Sequence, residues 1–168
     1  MAQQAEAYVP NHGLAEEIFL MQPDLIIAGT YMTRTTVALL RRLGFLVEEF
    51  VPESSFADVR ANMLKMGEIL GRSERAAELV TAFDKELAVL QSLPLQDATV
   101  ALYFANSYTS GEGTLVDAVV EASGLSNLAV RLGLAGTTRL PLELLIAGAP
   151  NVIVGEAGRD RRRGRTLR

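Results

Sequence analysis

Residues Ser54–Leu93, SSFADVRANMLKMGEILGRSERAAELVTAFDKELAVLQSL, carry the longest helical pattern in the chain. Phe56, Val59, Met63, Met66 and Leu70 recur in steps of three and four, which lines one face of an α-helix and predicts that this face is buried. Ser55 with Asp58 three residues later reads as the helix start, the aspartate standing where a capping box usually has Glu or Gln. Gly71 interrupts the pattern. Ser73 is placed to cap a second run in which Ala76, Leu79, Val80, Phe83, Leu87 and Leu90 share a face, and Pro94 closes it. The run from Glu74 to Gln91 spans about 27 Å at the α-helical rise, long for a crossover within one sheet and suited to a strut between two lobes.

The segments around this helical stretch alternate strand and helix. Gly13 to Met21 is short and helix-like, with Leu14, Ile18 and Met21 on one side, and Pro23 stops it. Leu25 to Ala28 is a continuous apolar run ending in Gly29, as expected of a buried parallel strand. Val37, Leu39, Leu40 and Leu43 make a helix closed by Gly44, and Leu46 to Val51 follows as a strand whose Glu48 and Glu49 point to an edge or an exposed end. On the other side, Thr99 to Phe104 is a strand of buried type, and Ala105 to Gly113 is rich in turn-forming Asn, Ser, Thr and Gly. Thr114 to Ser123 is a helix with Leu115, Val119 and Ala122 inward and Gly124 at its end. Leu128 to Gly136 is ambiguous. Pro141 suits the first turn of a helix through Ala147, and Asn151 to Val154 is a strand.

The chain has 168 residues with 49% apolar content and a mean hydropathy of +0.20, enough to bury a core. Its net charge of -4 is unevenly spread: Arg159 to Arg168 holds six arginines against one aspartate, so this tail is +5 and the remainder -9. An acidic body argues against nucleic acid as a partner. No cysteine is present, which excludes disulfides and thiolate metal sites. No apolar run approaches membrane-spanning length, and the opening residues lack the basic-then-apolar pattern of a signal peptide.

One arrangement occurs twice. Glu16 to Ile27 and Leu142 to Val154 share the order helix, proline, strand, with Pro23 and Pro150 each seven residues after an acid. Both segments resemble the E-x-L-L-x-x-x-P-D-x-I-V signature of periplasmic substrate-binding proteins that serve ABC importers of ferric siderophores, haem and vitamin B12. Gly67 to Ala77 is similar to that family's linking-helix segment, and Thr114 to Asn127 to its T-x-x-D…G-x-x-N segment. The four matches stand in the family's order across residues 12 to 154.

The resemblance implies an α/β fold of two small lobes with mainly parallel sheets joined by a long linking helix. The partial N-terminal lobe is then residues 1–53, the linking helical segment 54–93 and the partial C-terminal lobe 94–154. Residues 155–168 form a basic tail without apolar period. Both lobes are incomplete, since the family's opening strand and the later elements of its second lobe have no counterpart here. It further implies a non-enzymatic solute-binding component of an ABC import system, periplasmic. An iron chelate, haem or cobalamin is held between the lobes and delivered to a membrane permease. In that family an acid on each lobe docks on permease arginines, and by position these are Glu16 and Glu143. Both read equally well as acids favoured by their own helix dipoles.

Family ligand contacts come from loops after the strands, where open α/β sheets generally bind. Here these are Thr30, Tyr31, Met32, Thr33 and Arg34, then Asn106, Ser107, Tyr108, Thr109 and Ser110. Tyr31 and Tyr108 are suited to stack on a flat macrocycle or catecholate ring, or to cap strand ends. The hydroxyls can bond ligand oxygens, and Arg34 either pairs with an acidic ligand or begins a helix.

Catalytic chemistry finds little footing. Gly111-Glu112-Gly113 between a strand and a helix has Val116 where a dinucleotide loop needs its third glycine, so turn and cap is the better reading. The alternative function, a nucleotide- or flavin-binding α/β enzyme of flavodoxin-like type, requires such a loop. His12 is the sole histidine, which rules out a two-histidine zinc site and leaves a surface residue. Glu16 and Glu17 are adjacent and point about 100° apart on a helix, poor geometry for paired acid and base work. Neither a metal nor a cofactor is expected.

Overall fold

The computed structural model describes residues 8–30, 34–92, 94 and 97–155. Its contacts divide the chain into two compact units, Met1–Pro52 and Glu53–Arg168.

In the first unit α1 (Ala15–Met21) leads to β1 (Ile26–Gly29), then α2 (Arg34–Arg42) and β2 (Val47–Phe50). β1 and β2 are parallel, with Ile26 opposite Val47 and Gly29 opposite Phe50. The core gathers Ala15, Ile18, Ile26, Ala28, Val37, Leu40 and Val47, with Phe45 packed against it. The rings of Phe19 and Phe45 meet edge to face, centroids 6.1 Å apart. β1 was expected to be buried throughout; instead it alternates, with Ile26 and Ala28 inside and Ile27 48% exposed. A strand pleat turns successive side chains to opposite faces, and in this two-stranded sheet the helices contribute core residues only on the face of Ile26 and Ala28. The same one-sided covering leaves Leu14, Met21, Leu39 and Leu43 exposed while Ile18, Val37 and Leu40 are inside.

The second unit opens with two helices, α3 (Phe56–Ile69) and α4 (Ser73–Gln91). Ser55 caps α3 as its sequence predicts: its hydroxyl accepts from the Asp58 amide at 3.2 Å and donates to the Asp58 carboxylate at 2.9 Å. Ser73 is not a cap but the first helical residue of α4, Arg72 taking the N-cap without a side-chain bond. The two helices pack on each other. Phe56 meets Phe83 at 5.9 Å between centroids, Arg60 lies over the Phe83 ring at 5.4 Å, and its guanidinium pairs with Asp84 at 2.5 Å. Gly67 lets the backbones approach: a Cβ there would lie 2.3 Å from the Ala76 Cβ. The stripe expected to be buried is only half-buried at Phe56, Val59, Met63 and Met66, and Leu70 is 53% exposed, since a helix pair covers little more than the seam between its members. On α4, Ala76 and Leu87 are buried while Leu79 is exposed.

The remainder is a sheet of order β5-β3-β7, formed by β3 (Thr99–Leu102), β5 (Ser126–Asn127) and β7 (Val152–Val154), all parallel. β3 is buried at every residue, as its apolar run predicts. α5 (Leu115–Ala122) packs Val120 against Val100 and Leu102, and α7 (Leu142–Gly148) packs Leu145 with Ala101, Leu128 and Leu140. α5 turns Asp117, Val120 and Ala122 inward; of the expected stripe Ala122 is buried, Leu115 half-buried and Val119 exposed. The ambiguous stretch resolves into α6 (Leu128–Arg131), a single turn, followed by β6 (Thr137–Arg139). Pro141 is the N-cap of α7, outside its first turn.

Candidate functional site

The helix-proline-strand repeat is a structural repeat. α1 and α7 have seven residues each, and each ends at a left-handed residue, Gln22 with φ 47° and Ala149 with φ 41°. Each of these amides bonds back three residues, Gln22 to the Phe19 carbonyl and Ala149 to the Ile146 carbonyl. The proline that follows cannot extend the helix, so the chain leaves for β1 or β7. Glu16 and Glu143 lie in the first turns of these helices, both exposed. Among the described residues neither has an ion-pair partner. Neighbouring Glu17 turns back instead, accepting from the His12 amide at 2.8 Å and facing its ring at 3.1 Å. Those bonds hold the Glu17 carboxyl below the usual glutamate range. His12 is a surface residue, as its sequence context implies.

Of the first unit's proposed ligand loop, Thr30 is exposed after β1, and Arg34 is the exposed first residue of α2. Tyr31, Met32 and Thr33 lie outside the described residues. In the second unit the loop after β3 is more ordered than its turn-rich sequence predicts. Ala105–Ser107 makes a tight helical turn, and Tyr108–Ser110 forms β4, antiparallel to β6 with Tyr108 opposite Arg139 and Ser110 opposite Thr137. Asn106 and Ser107 both adopt left-handed backbone, φ 58° and 62°. For serine this is an uncommon conformation, worth roughly 1–2 kcal/mol of strain. Three bonds hold it: the Phe104 amide to the Tyr108 carbonyl, the Leu140 amide to the Ser107 carbonyl, both 2.8 Å, and the Tyr103 and Ser107 hydroxyls at 2.9 Å.

Pleating then sorts the five residues. Asn106 and Tyr108 are exposed and Ser107 is half-buried, whereas Thr109 is fully buried and Ser110 nearly so. Among the described residues the Thr109 hydroxyl has no partner, and the Ser110 carbonyl accepts from the Asn127 amide group at 2.9 Å. Arg139, which sequence reasoning passed over, stands over the Tyr108 ring at 5.7 Å. Thr137-Thr138-Arg139 is polar throughout and only three residues long, so no period-two alternation marks it as a strand.

The Thr114–Asn127 segment is a buried polar network. Thr114 accepts from the Asp117 amide at 3.2 Å and donates to the Gly111 carbonyl at 2.8 Å. Asn127 donates to Asp117 at 2.8 Å, and its side-chain oxygen accepts from the Ala129 amide at 3.0 Å, capping α6. This network ties β4, α5, β5 and α6 together beneath the exposed loop.

Gly111-Glu112-Gly113 is no phosphate cradle. The Gly111 amide donates to the Gly136 carbonyl and the Glu112 amide to the Leu134 carbonyl, so two of the loop's amides are spent within the fold. Gly111 is required for a different reason, since a Cβ would stand 2.1 Å from the Leu134 carbonyl oxygen. Among the described residues no group of three or more His, Cys, Asp or Glu is placed to hold a metal, and no helix is long and apolar enough to cross a membrane.

Two α/β units of parallel strands, with loops at the carboxyl ends of those strands where open α/β sheets generally bind, define an open α/β fold. The chain belongs to the periplasmic binding protein family, whose model matches residues 9–165. It is 27% identical over 157 residues to a cobalamin-binding protein of Halobacterium salinarum, covering 90% of this chain and 42% of that one. Over 99 residues it is 27% identical to the ferric enterobactin-binding periplasmic protein FepB of Escherichia coli, covering 57% of this chain and 31% of that one. Among solved structures it is similar to the haem-binding protein RhuT of Roseiflexus sp. RS-1, with a TM-score of 0.76 and 24% identity, covering 84% of this chain and 57% of that one. HutB of Vibrio cholerae gives 0.77 and 19% over the same shares. The chain thus spans under half the length of its curated relatives and somewhat more than half of the structures.

Proposed function

We propose that this protein is the solute-binding component of an ABC import system, a binding protein and not an enzyme, acting in the periplasm. It binds an iron chelate, haem or cobalamin, with a partial N-terminal lobe of residues 1–53, a linking helical segment 54–93 and a partial C-terminal lobe 94–154. It then delivers that ligand to a membrane permease. The observation that carries this reading is the family match over residues 9–165, nearly the whole chain. The names of its relatives, a cobalamin-binding, a ferric enterobactin-binding and a haem-binding protein, support this choice of ligand class. Ligand contacts fall to the exposed loop residues Thr30, Arg34, Asn106 and Tyr108 and the half-buried Ser107, with Tyr31, Met32 and Thr33 from the same first loop. Thr109 and Ser110 are buried and shape the loop from beneath. Glu16 and Glu143, exposed on equivalent helices, dock on permease arginines by charge complementarity.

The test is titration of the purified chain with haem, cyanocobalamin and ferric enterobactin by calorimetry, with FMN and ATP as counter-probes. Saturable binding of one of the first three is expected. Saturable binding of FMN or ATP with none of the three overturns the reading.

A further inference from the structure

Tyr108 and Arg139 are opposite one another across the β4–β6 ladder, so their side chains leave the same face. The neighbouring pair, Thr109 and Thr138, leaves the other face, where Thr109 is fully buried. The ladder therefore presents Tyr108 and Arg139 to solvent together. The guanidinium carbon sits 5.7 Å from the centre of the ring, within the range of a cation–aromatic attraction. Among the described residues Arg139 has no carboxylate partner, so beside the ring its fork of N–H donors stays unspent. The pair rests on rigid support. Leu140, next to Arg139, is fully buried and its amide holds the Ser107 carbonyl, while Ser107, next to Tyr108, is fixed in left-handed backbone.

From this geometry we infer that Arg139 is a specificity-determining residue of the second unit, which with Tyr108 selects a flat aromatic ligand bearing carboxylate groups. The inference rests on the solute-binding reading above and narrows its ligand class. A guanidinium matches a carboxylate with two parallel N–H···O bonds, and a planar group stacked on an aromatic ring extends the surface against which a flat ligand lies. A ligand whose periphery is neutral leaves those donors unpaired. A carboxylate-bearing tetrapyrrole is thus favoured over one with an amide periphery.

The experiment compares iron protoporphyrin IX with its dimethyl ester, which removes both carboxylate charges and keeps the ring. Each is titrated in the same mild detergent by the Soret band, on the full chain and on Arg139→Gln, Arg139→Lys and Tyr108→Ala. The unaltered chain is expected to bind the diacid about tenfold more tightly than the ester, the scale of a hydrogen bond to a charged group. Arg139→Gln abolishes that difference by weakening the diacid alone, and Arg139→Lys restores only part of it. Tyr108→Ala weakens both porphyrins. Equal binding of diacid and ester by the unaltered chain, or a difference that survives in Arg139→Gln, overturns the inference and leaves the solute-binding reading standing. Binding of cyanocobalamin with neither porphyrin does the same. Failure of every tetrapyrrole and of ferric enterobactin overturns both.

Discussion

Asn127 donates its side-chain amide to the buried carboxylate of Asp117 at 2.8 Å, and through this bond β5 is tied to α5. Both residues are at least 95% buried. Asn127→Ala leaves the Asp117 carboxylate, the Ser110 carbonyl and the Ala129 amide each without a partner at once. Leaving buried polar groups unsatisfied costs about 1–3 kcal/mol each, so with three such groups a loss of about 3 kcal/mol or more is expected in urea unfolding. A loss below about 0.5 kcal/mol sets the network aside as a stabilising feature.

Gly67 and Ala76 give a second prediction. A methyl at position 67 meets the Ala76 Cβ at 2.3 Å, and overpacking of this kind costs about 1–3 kcal/mol. Gly67→Ala is expected to fall in that range, and Gly67→Ala with Ala76→Gly to recover part of the loss. Additive losses in the double variant instead place the strain elsewhere, and the double-variant cycle measures which holds.

Acid sensitivity concentrates at the start of α3. Asp58 accepts from the Ser54 hydroxyl, the Ser55 hydroxyl and the Ser54 amide, which together hold its carboxyl below the usual aspartate range. A depressed folded value contributes stability that is complete above the ordinary aspartate pKa and disappears as pH falls through the folded one. The Asp58 carboxyl resonance is therefore expected to titrate below that of an unstructured aspartate. Asp58→Asn removes this component of the acid-side slope, and an unshifted titration contradicts the cap.

For docking, charge reversal is the direct test. Glu16→Arg or Glu143→Arg is expected to lower ligand delivery to reconstituted permease by tenfold or more, and to leave ligand affinity within about twofold, since removing complementary charge changes association and a like charge repels. Unchanged delivery by both variants shows that the two acids serve only their helix dipoles.

Much of the fold was legible because local chemistry agreed with it. Ser55 before Phe56, Gly44 and Gly124 after their helices, and the prolines after α1 and α7 each mark a boundary through the backbone conformations they allow or forbid. The paired segments around Glu16 and Glu143 were visible for the same reason, since helix, proline and apolar strand are all short-range signals.

Depth of burial was not. The periodicity of α3 and α5 named a stripe, but whether Leu70 or Val119 is covered depends on how much of a neighbour reaches it, and here little does. β4 and β6 were also hidden, being three residues each, too short for a period to register, and held by each other across 26 intervening residues.

The sequence by itself determined the order of the longer helices and strands, several of their caps and breaks, the recurrence of helix, proline and strand, and the family. It did so because helix stops, turns and apolar periods act over a few residues. Only the tertiary structure decided that Thr109 lies inside while Tyr108 lies out, that Asp117 and Asn127 are one buried network, and that Arg139 stands beside Tyr108. These follow from strand register and from which faces are covered, and both are set by contacts between residues far apart in the chain.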